Sequence, residues 1–253
     1  MKLTDALRMA PDEVVALVGG GGKTTAMFRL AREVVEGGGR AITTTTTRIF
    51  GAQIALAPAH VPAASVTRGR LSAELALHRH VLVIGATDAG SGKAEGISLD
   101  LFRQVRAWFP DVCLLNEADG SRMRPFKAPA DYEPVIPADT TLVVVVVGAD
   151  VLGRSLDAAH VHRPELVATL SGAPMGAPVT PAIVARVLAD PQGGRKGVPA
   201  DARVVVLINK VEGLPSREPA RETAERLLRD PAIHSVVLAT LRAEDPVLEI
   251  CAR

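Results

Sequence analysis

The sequence has little that would support a metal cluster, a disulfide framework or an aromatic binding site. Its two cysteines, Cys113 and Cys251, lie far apart and lack the paired spacings of zinc sites and disulfide-rich domains. Only five phenylalanines, one tryptophan and one tyrosine occur among 253 residues, which argues against a base-stacking platform or an aromatic cage. We expect Cys113, inside an apolar run, to be a core residue.

Long apolar runs and an excess of either charge are also missing. No stretch approaches the ~18 apolar residues of a membrane span, and residues 1–12 lack the apolar segment of a signal peptide. Lys plus Arg number 29 against 28 for Asp plus Glu, so no large net field draws the protein to nucleic acid or to an anionic membrane. The sequence predicts a cytoplasmic protein whose partners are small molecules or proteins, with neither nucleic acid nor a membrane among them.

Short β-branched runs alternate with segments of helical periodicity along the whole chain. This order is typical of a mainly parallel sheet covered on both faces, so we predict a three-layer α/β fold. No interdomain linker stands out, and we expect residues 1–253 to form one domain. The predicted strands are residues 14–18, 41–45, 81–85, 112–116, 142–147, 204–208 and 236–239. The predicted helices are residues 24–36, 71–78, 99–109, 164–170, 181–188 and 217–228.

A glycine-rich loop follows the first predicted strand and precedes the first long helix. Glycines allow positive φ angles and close approach of backbone N–H groups to a phosphate, and the helix adds its positive end. Lys23 is expected to reach the β- and γ-phosphates, and the Thr24 hydroxyl to bind Mg²⁺. The context predicts a P-loop NTPase-like fold that binds the phosphates of ATP or GTP. The predicted phosphate-binding residues are Gly19, Gly20, Gly21, Gly22, Lys23, Thr24 and Thr25.

The loop departs from the usual G-x-x-x-x-G-K-[ST] spacing, whose first glycine would stand at position 17, where this chain has Leu17. The shorter G-G-x-G-K-T-T form resembles the signal-recognition and MinD-like branch of P-loop proteins. The G-x-x-G-K-T-T core is also similar to that of Mur ligases. A ligase or kinase that phosphorylates a small acid therefore stands beside simple hydrolysis as a hypothesis.

Two carboxylates end the apolar run of residues 112–116. Glu117 and Asp119 are placed where an acid can hold Mg²⁺ or its waters beside the phosphates. Residues two apart on a strand point the same way, so both can face the site if the strand continues that far. We predict that Lys23, Glu117 and Asp119 are the catalytic residues, and that Thr24 and Asp119 bind the metal.

Two further segments come after predicted strands and lead toward the same edge of the sheet. One threonine of residues 43–47 can sense the γ-phosphate, and Arg48 can neutralise charge, although a strand rich in β-branched residues explains the run equally well.

Asn209-Lys210-Val211-Glu212 resembles the N-K-x-D base-recognition motif of GTP-binding proteins. The acid is a glutamate instead of an aspartate, so both ATP and GTP remain possible. Asn209, Lys210 and Glu212 are the predicted base-binding residues.

Basic residues also come after Asp119-Gly120. Arg122, Arg124 and Lys127 lie on a proline-rich segment and can clamp an anionic substrate or the nucleotide phosphates, or simply face solvent. Further along, we favour anion binding by Arg163, or a structural role, over a metal site at His160 and His162.

Several of these motifs together resemble the YqeC family. They are the glycine loop, residues 43–48, Glu117-Ala-Asp-Gly120, Lys127-Ala-Pro-Ala-Asp-Tyr-Glu-Pro-Val-Ile-Pro137, His162-Arg-Pro-Glu165 and Ile208-Asn-Lys-Val211. The family is described as accessory or selenium-cofactor proteins for selenium-dependent molybdenum hydroxylases. The resemblance implies a nucleotide-dependent step in maturing such a hydroxylase or its cofactor, with the hydroxylase or a molybdenum-cofactor protein as partner. The alternatives are a nucleotide-controlled binding switch without its own chemistry and the Mur-like ligase or kinase.

Overall fold

A computed structural model describes residues 1–88, 90 and 92–253. Its helices are α1 (Leu3–Ala6), α2 (Lys23–Glu36), α3 (Arg68–His78), α4 (Leu99–Trp108), α5 (Pro164–Ser171), α6 (Pro181–Ala189) and α7 (Leu214–Leu227). Its strands are β1 (Val14–Gly19), β2 (Ala41–Thr45), β3 (Ile49–Phe50), β4 (His60–Pro62), β5 (His80–Ile84), β6 (Thr87–Asp88), β7 (Lys93–Ala94), β8 (Cys113–Glu117), β9 (Phe126–Lys127), β10 (Leu142–Gly148), β11 (Val161–His162), β12 (Arg203–Asn209), β13 (Ser235–Ala239) and β14 (Val247–Ala252).

Nine of the described strands form one sheet in the order β14-β13-β12-β10-β1-β8-β2-β5-β4. All neighbouring pairs in it are parallel except β13 with the edge strand β14. The carboxyl ends of β1, β8, β2, β10 and β12 therefore meet along one edge. In the described residues, the shorter strands make two small sheets, β11 with β9 and β3-β7-β6.

Helices cover both faces of the large sheet. Side chains alternate along β1, so that Val15 and Leu17 pack in one cluster with α1 and α2, whereas Ala16 and Val18 pack on the other face with α5, α6 and α7. Helices α3 and α4 cover the second face beside β2 and β5. Because both faces are buried, the strands are continuous apolar runs, and the fold is the predicted three-layer α/β fold.

All seven predicted strands and all six predicted helices are present, with bounds shifted by a few residues at most. The two-residue strands, the three-residue strand β4 and the four-residue helix α1 were not predicted, because they are too short to show a period. The edge strand β14 was also missed, because its residues alternate only between half-buried and exposed. Cys113 is fully buried, as expected, and burial raises the pKa of its thiol to about 12. Within the described residues, no helix combines the length and the apolar character needed to cross a membrane.

Candidate functional site

The glycine loop joins β1 to α2 and is enclosed on several sides by backbone. Gly21 has a φ of 75°, and a Cβ there would lie 2.2 Å from the backbone nitrogen of Gly148. Gly22 has a φ of 137°, and a Cβ there would lie 2.4 Å from Nδ2 of Asn209. Both the backbone conformation and the space therefore require glycine.

The N–H groups of the loop divide into two sets. Those of Gly20 and Gly21 donate to the carbonyl oxygens of Val146 and Arg124, at 2.8 and 3.1 Å. The next four, from Gly22 to Thr25, donate to no other atom of the described chain. These open groups lie at the amino end of α2 beside a cavity, the arrangement that binds phosphate oxygens.

Lys23 is 3% exposed and its ammonium is fully engaged within the chain. Its Nζ donates to the carbonyl oxygen of Gly19 at 2.6 Å and lies 3.2 Å from Oδ1 of Asp119 and 3.7 Å from Oε1 of Glu117. The lysine is thus held at the mouth of the loop by two carboxylates. A bound phosphate would replace part of this pairing.

Glu117 is the acid that meets Thr24. It ends β8 opposite Leu17 of β1, and the Thr24 hydroxyl donates to its Oε2 at 2.7 Å. Burial raises the pKa of the Glu117 carboxyl above its usual value, against the opposing effects of Lys23 and Thr24. In P-loop proteins Mg²⁺ is held by the loop hydroxyl and a strand-end acid, and the residues here fit that donor set.

Asp119 lies elsewhere, because β8 ends at Glu117 and the strand alternation does not reach position 119. Its two carboxylate oxygens each accept from the backbone N–H of Gly19 at 3.1 Å. The same group pairs with Lys23 and, at 3.0 Å, with Lys127. Asp119 thus holds the start of the glycine loop through the Gly19 N–H. In the described residues, no hydrogen bond joins Asp119 to Thr24.

A chain of charged side chains leads away from the loop. Lys23 pairs with Asp119, Asp119 with Lys127, Lys127 with Glu133 at 2.6 Å, and Glu133 with Arg163 at 2.7 Å. Burial works against the charged form of Glu133, yet hydrogen bonds from Arg163 and Lys127 lower the pKa of its carboxyl below the usual value. The signs alternate throughout, so each buried charge has an opposite neighbour.

A cavity of about 760 Å³ opens over the loop. The charged residues of its lining are mainly basic, with acids only at Glu117 and Glu133 among the described residues that form it. The cations are Lys23, Arg48, Lys93, Arg122, Arg163, Lys210 and Arg242. Such a lining concentrates a positive field on an anionic ligand. Arg242 was not predicted from the sequence. It comes shortly after the parallel strand β13, so a search of the residues beyond each parallel strand would have found it.

The threonine run is mostly structural. Thr43, Thr44 and Thr45 are buried and hydrogen-bond to His80, to the Val83 carbonyl and to the Glu117 carbonyl, respectively. The Thr46 hydroxyl donates to the Val135 carbonyl at 2.7 Å. Thr47 and Arg48 line the cavity, so of this run only these two residues are placed to meet a ligand.

The three predicted base-binding residues after β12 lie in different surroundings. Asn209 is buried; its Nδ2 donates to the Gly21 carbonyl at 2.8 Å, and its Oδ1 accepts from the Leu241 N–H at 3.0 Å. Lys210 lines the cavity but pairs with Asp150 at 2.7 Å. Glu212 is exposed and lines a separate cavity beside Asp150. The structure therefore brings Asn209 to the glycine loop and leaves Glu212 away from the cavity above it.

Fold and loop together define the class of this protein. A mainly parallel sheet with helices on both faces, and a strand, glycine loop and helix at its carboxyl edge, make up a P-loop NTPase-like fold. The family model described as YqeC protein matches residues 15–165. The chain is 33% identical over 203 residues to the YqeC protein of Escherichia coli strain K12, covering 78% of this chain and 75% of that protein. The chain belongs to the YqeC family.

The chain resembles solved structures less closely than it resembles this relative. The hydrogenase maturation factor HypB from Archaeoglobus fulgidus matches with a TM-score of 0.42 and 12% identity, covering 94% of this chain and 86% of HypB. Chloroplast FtsY from Physcomitrella patens matches with a TM-score of 0.33 and 14% identity over 93% of this chain, which spans about half of FtsY (52%). At these scores neither structure says anything about this chain's ligand or partner.

Proposed function

We propose that the chain binds the triphosphate of ATP or GTP together with Mg²⁺ at residues 19–25 and cleaves or transfers the γ-phosphoryl group. The observation that carries the proposal is the 2.7 Å hydrogen bond from Thr24 to Glu117 beside the open N–H groups at the start of α2. Bound Mg²⁺ would neutralise phosphate charge there. Lys23 would turn toward the β- and γ-phosphates, and Glu117 would hold the cation or its waters.

Asp119 has a positioning role in this proposal. It fixes the first glycine through the Gly19 N–H and keeps Lys23 at the mouth of the loop. The geometry thus favours Glu117 over Asp119 as the acid nearest the metal. Asn209 positions the loop from the other side through the Gly21 carbonyl.

We further propose that this nucleotide step serves the maturation of a molybdenum hydroxylase, in particular a selenium-dependent one, or of its cofactor. The support is the family membership and the description of that family. A cytoplasmic location and a single domain over residues 1–253 stay predictions from the sequence.

One observation favours a binding switch as a second candidate. The ion-pair chain from Lys23 ends at Arg163, which lies over the ring of the exposed Tyr132. If phosphates draw Lys23 away from Asp119, the balance of charge changes along this chain as far as the surface. Nucleotide state would then alter a surface that a partner protein can contact.

Binding and turnover of ATP and of GTP, each with Mg²⁺ and with chelator, test the proposal. We expect binding of at least one nucleotide and Mg²⁺-dependent turnover that Glu117→Gln reduces. Acceleration by a cognate hydroxylase preparation would support the maturation role, and faster turnover with a small acid would support the ligase or kinase. Absence of nucleotide binding to the parent protein would overturn the site.

A further inference from the structure

We propose that the Arg122 side of the cavity binds a second anion, a small oxyanion such as a phosphate or a carboxylate, next to the nucleotide phosphates. This inference rests on the proposed nucleotide site and adds the chemical class of a second substrate. It depends on three features of the described residues: a cation without an acidic partner, a strained turn and the anchoring of that turn to the glycine loop.

The cations of the cavity differ in whether an acid already neutralises them. Lys23, Arg48, Arg163 and Lys210 each pair with a carboxylate. The side chains of Arg122 and Arg242 have neither an ion pair nor a hydrogen bond with any described residue, and the Lys93 ammonium lies over the face of the Phe50 ring, at 5.4 Å. Positive charge that the protein leaves unpaired in a shared cavity attracts an anionic ligand.

The backbone at Arg122 is strained. Arg122 and Met123 are consecutive residues with φ of 49° and 62°, in the left-handed region that non-glycine residues rarely occupy. Each such residue costs on the order of 1–3 kcal/mol, and such strain concentrates at ligand-binding turns. The result is a tight turn, closed by the Arg124 N–H to the Ser121 carbonyl at 2.9 Å, that presents Arg122 to the cavity.

The same turn is attached to the glycine loop. The Arg124 carbonyl accepts from the Gly21 N–H at 3.1 Å, and the Pro125 carbonyl accepts from the Gly148 N–H at 2.8 Å. Arg122 therefore has a defined position relative to the phosphate-binding groups. Of the three basic residues predicted to clamp an anion, Lys127 is buried in ion pairs and Arg124 does not line the cavity, which leaves Arg122.

The surroundings of Arg122 supply a hydrogen-bonding side chain beside an acid that is already paired. His162 lines the same region, and burial, together with Arg163 and Lys127 and to a smaller extent Arg122, lowers the pKa of its imidazole to about 4. It is neutral at pH 7, and its one ring N–H can donate to an oxyanion. Glu133 is the neighbouring acid, and Lys127 and Arg163 already engage it.

Calorimetric titration of inorganic phosphate into the protein saturated with Mg²⁺ and a β,γ-imido nucleotide tests the proposal at constant ionic strength, with acetate as a parallel probe. We expect phosphate or acetate to bind the loaded parent protein and Arg122→Ala to weaken that binding about tenfold or more. Arg124→Ala, which removes the same charge from the same turn, should change it less than about twofold. The affinity for the imido nucleotide should be the same in all three proteins.

Three results would overturn the second site. They are no binding of either anion to the loaded parent, equal losses in Arg122→Ala and Arg124→Ala, or a matching loss of nucleotide affinity in Arg122→Ala. The last result would assign Arg122 to the nucleotide itself. Failure of the imido nucleotide to bind the parent protein is a separate outcome, because it removes the proposed function and the second site with it.

Discussion

Two parts of the candidate site hold their charges in different ways: the glycine loop with its acids, here called the phosphate end, and the segment after β12, here called the other end. At the phosphate end, Lys23, Glu117 and Asp119 are 3%, 6% and 2% exposed, and each contacts another charged or hydrogen-bonding group. At the other end, the side chains of Lys210 and Asp150 are paired but 40% and 43% exposed. Glu212 faces another cavity altogether.

In the proposed nucleotide site, this difference would separate the groups that meet the phosphates from the groups that meet the base. Buried charges interact strongly and keep a fixed geometry, whereas exposed pairs contribute little and are screened by salt. In the proposed nucleotide site, phosphate recognition would therefore depend on groups that the packing fixes. Recognition of the base would depend on groups that the packing does not fix. Substitutions at the two ends should differ accordingly, with the largest losses at the phosphate end.

The largest effect is expected for Lys23→Met. Removing the ammonium should lower nucleotide turnover by roughly 100-fold or more, because transition-state charge on the phosphates loses its cation. The variant should also be less stable, since Lys23 pairs with buried Asp119. Lys210→Met is the matched control at the other end and should reduce turnover only a few-fold. Equal losses in both variants would contradict the contrast between the two ends.

Next come the two acids of the phosphate end. Glu117→Gln should reduce Mg²⁺-dependent turnover by about 10- to 100-fold while nucleotide binding in chelator changes little. Asp119→Asn should mainly lower the free energy of unfolding, by about 3 kcal/mol, because Lys23 and Lys127 lose a shared buried carboxylate. Turnover against Mg²⁺ concentration and urea unfolding separate the two. A larger Mg²⁺ effect in Asp119→Asn would make that residue the metal ligand.

A smaller effect concerns pH and the ion-pair chain. Hydrogen bonds from Arg163 and Lys127 outweigh burial and hold the pKa of Glu133 below its ordinary value of 4.5. The folded protein therefore binds this proton less tightly than the unfolded chain, and the carboxylate stabilises the fold above pH 4.5. The free energies of unfolding of the parent and of Glu133→Gln should differ most near pH 7. They should converge as the pH falls below 4.5. A difference that grows in acid would contradict the pairing.

The smallest effect is expected for Glu212→Gln. Its side chain lies outside the cavity above the loop, so the ratio of GTP to ATP affinity should stay within about twofold of the parent protein. Asn209→Ala should instead weaken both nucleotides together, since it loses the bonds to the Gly21 carbonyl and the Leu241 N–H. Competition binding measures both variants. A tenfold change in the ratio for Glu212→Gln would place that acid at the base.

Local patterns determined much of this protein. An apolar run precedes four glycines, Lys23 and a helical period, all within one short stretch of sequence. The structure has that strand, loop and helix. The same holds for the seven predicted strands of the parallel sheet, because a strand buried on both faces is a continuous apolar run.

Contacts between distant segments were decided only by the tertiary structure. Glu117 meets Thr24 because β8 pairs with β1 in one register and ends there, so Asp119 turns away to Gly19. Arg122 faces the cavity while Lys127 is buried because the turn hydrogen-bonds to the glycine loop and β9 pairs with the distant strand β11. Strand register and the path of a loop across the surface depend on packing between residues far apart in sequence, and no local period encodes them.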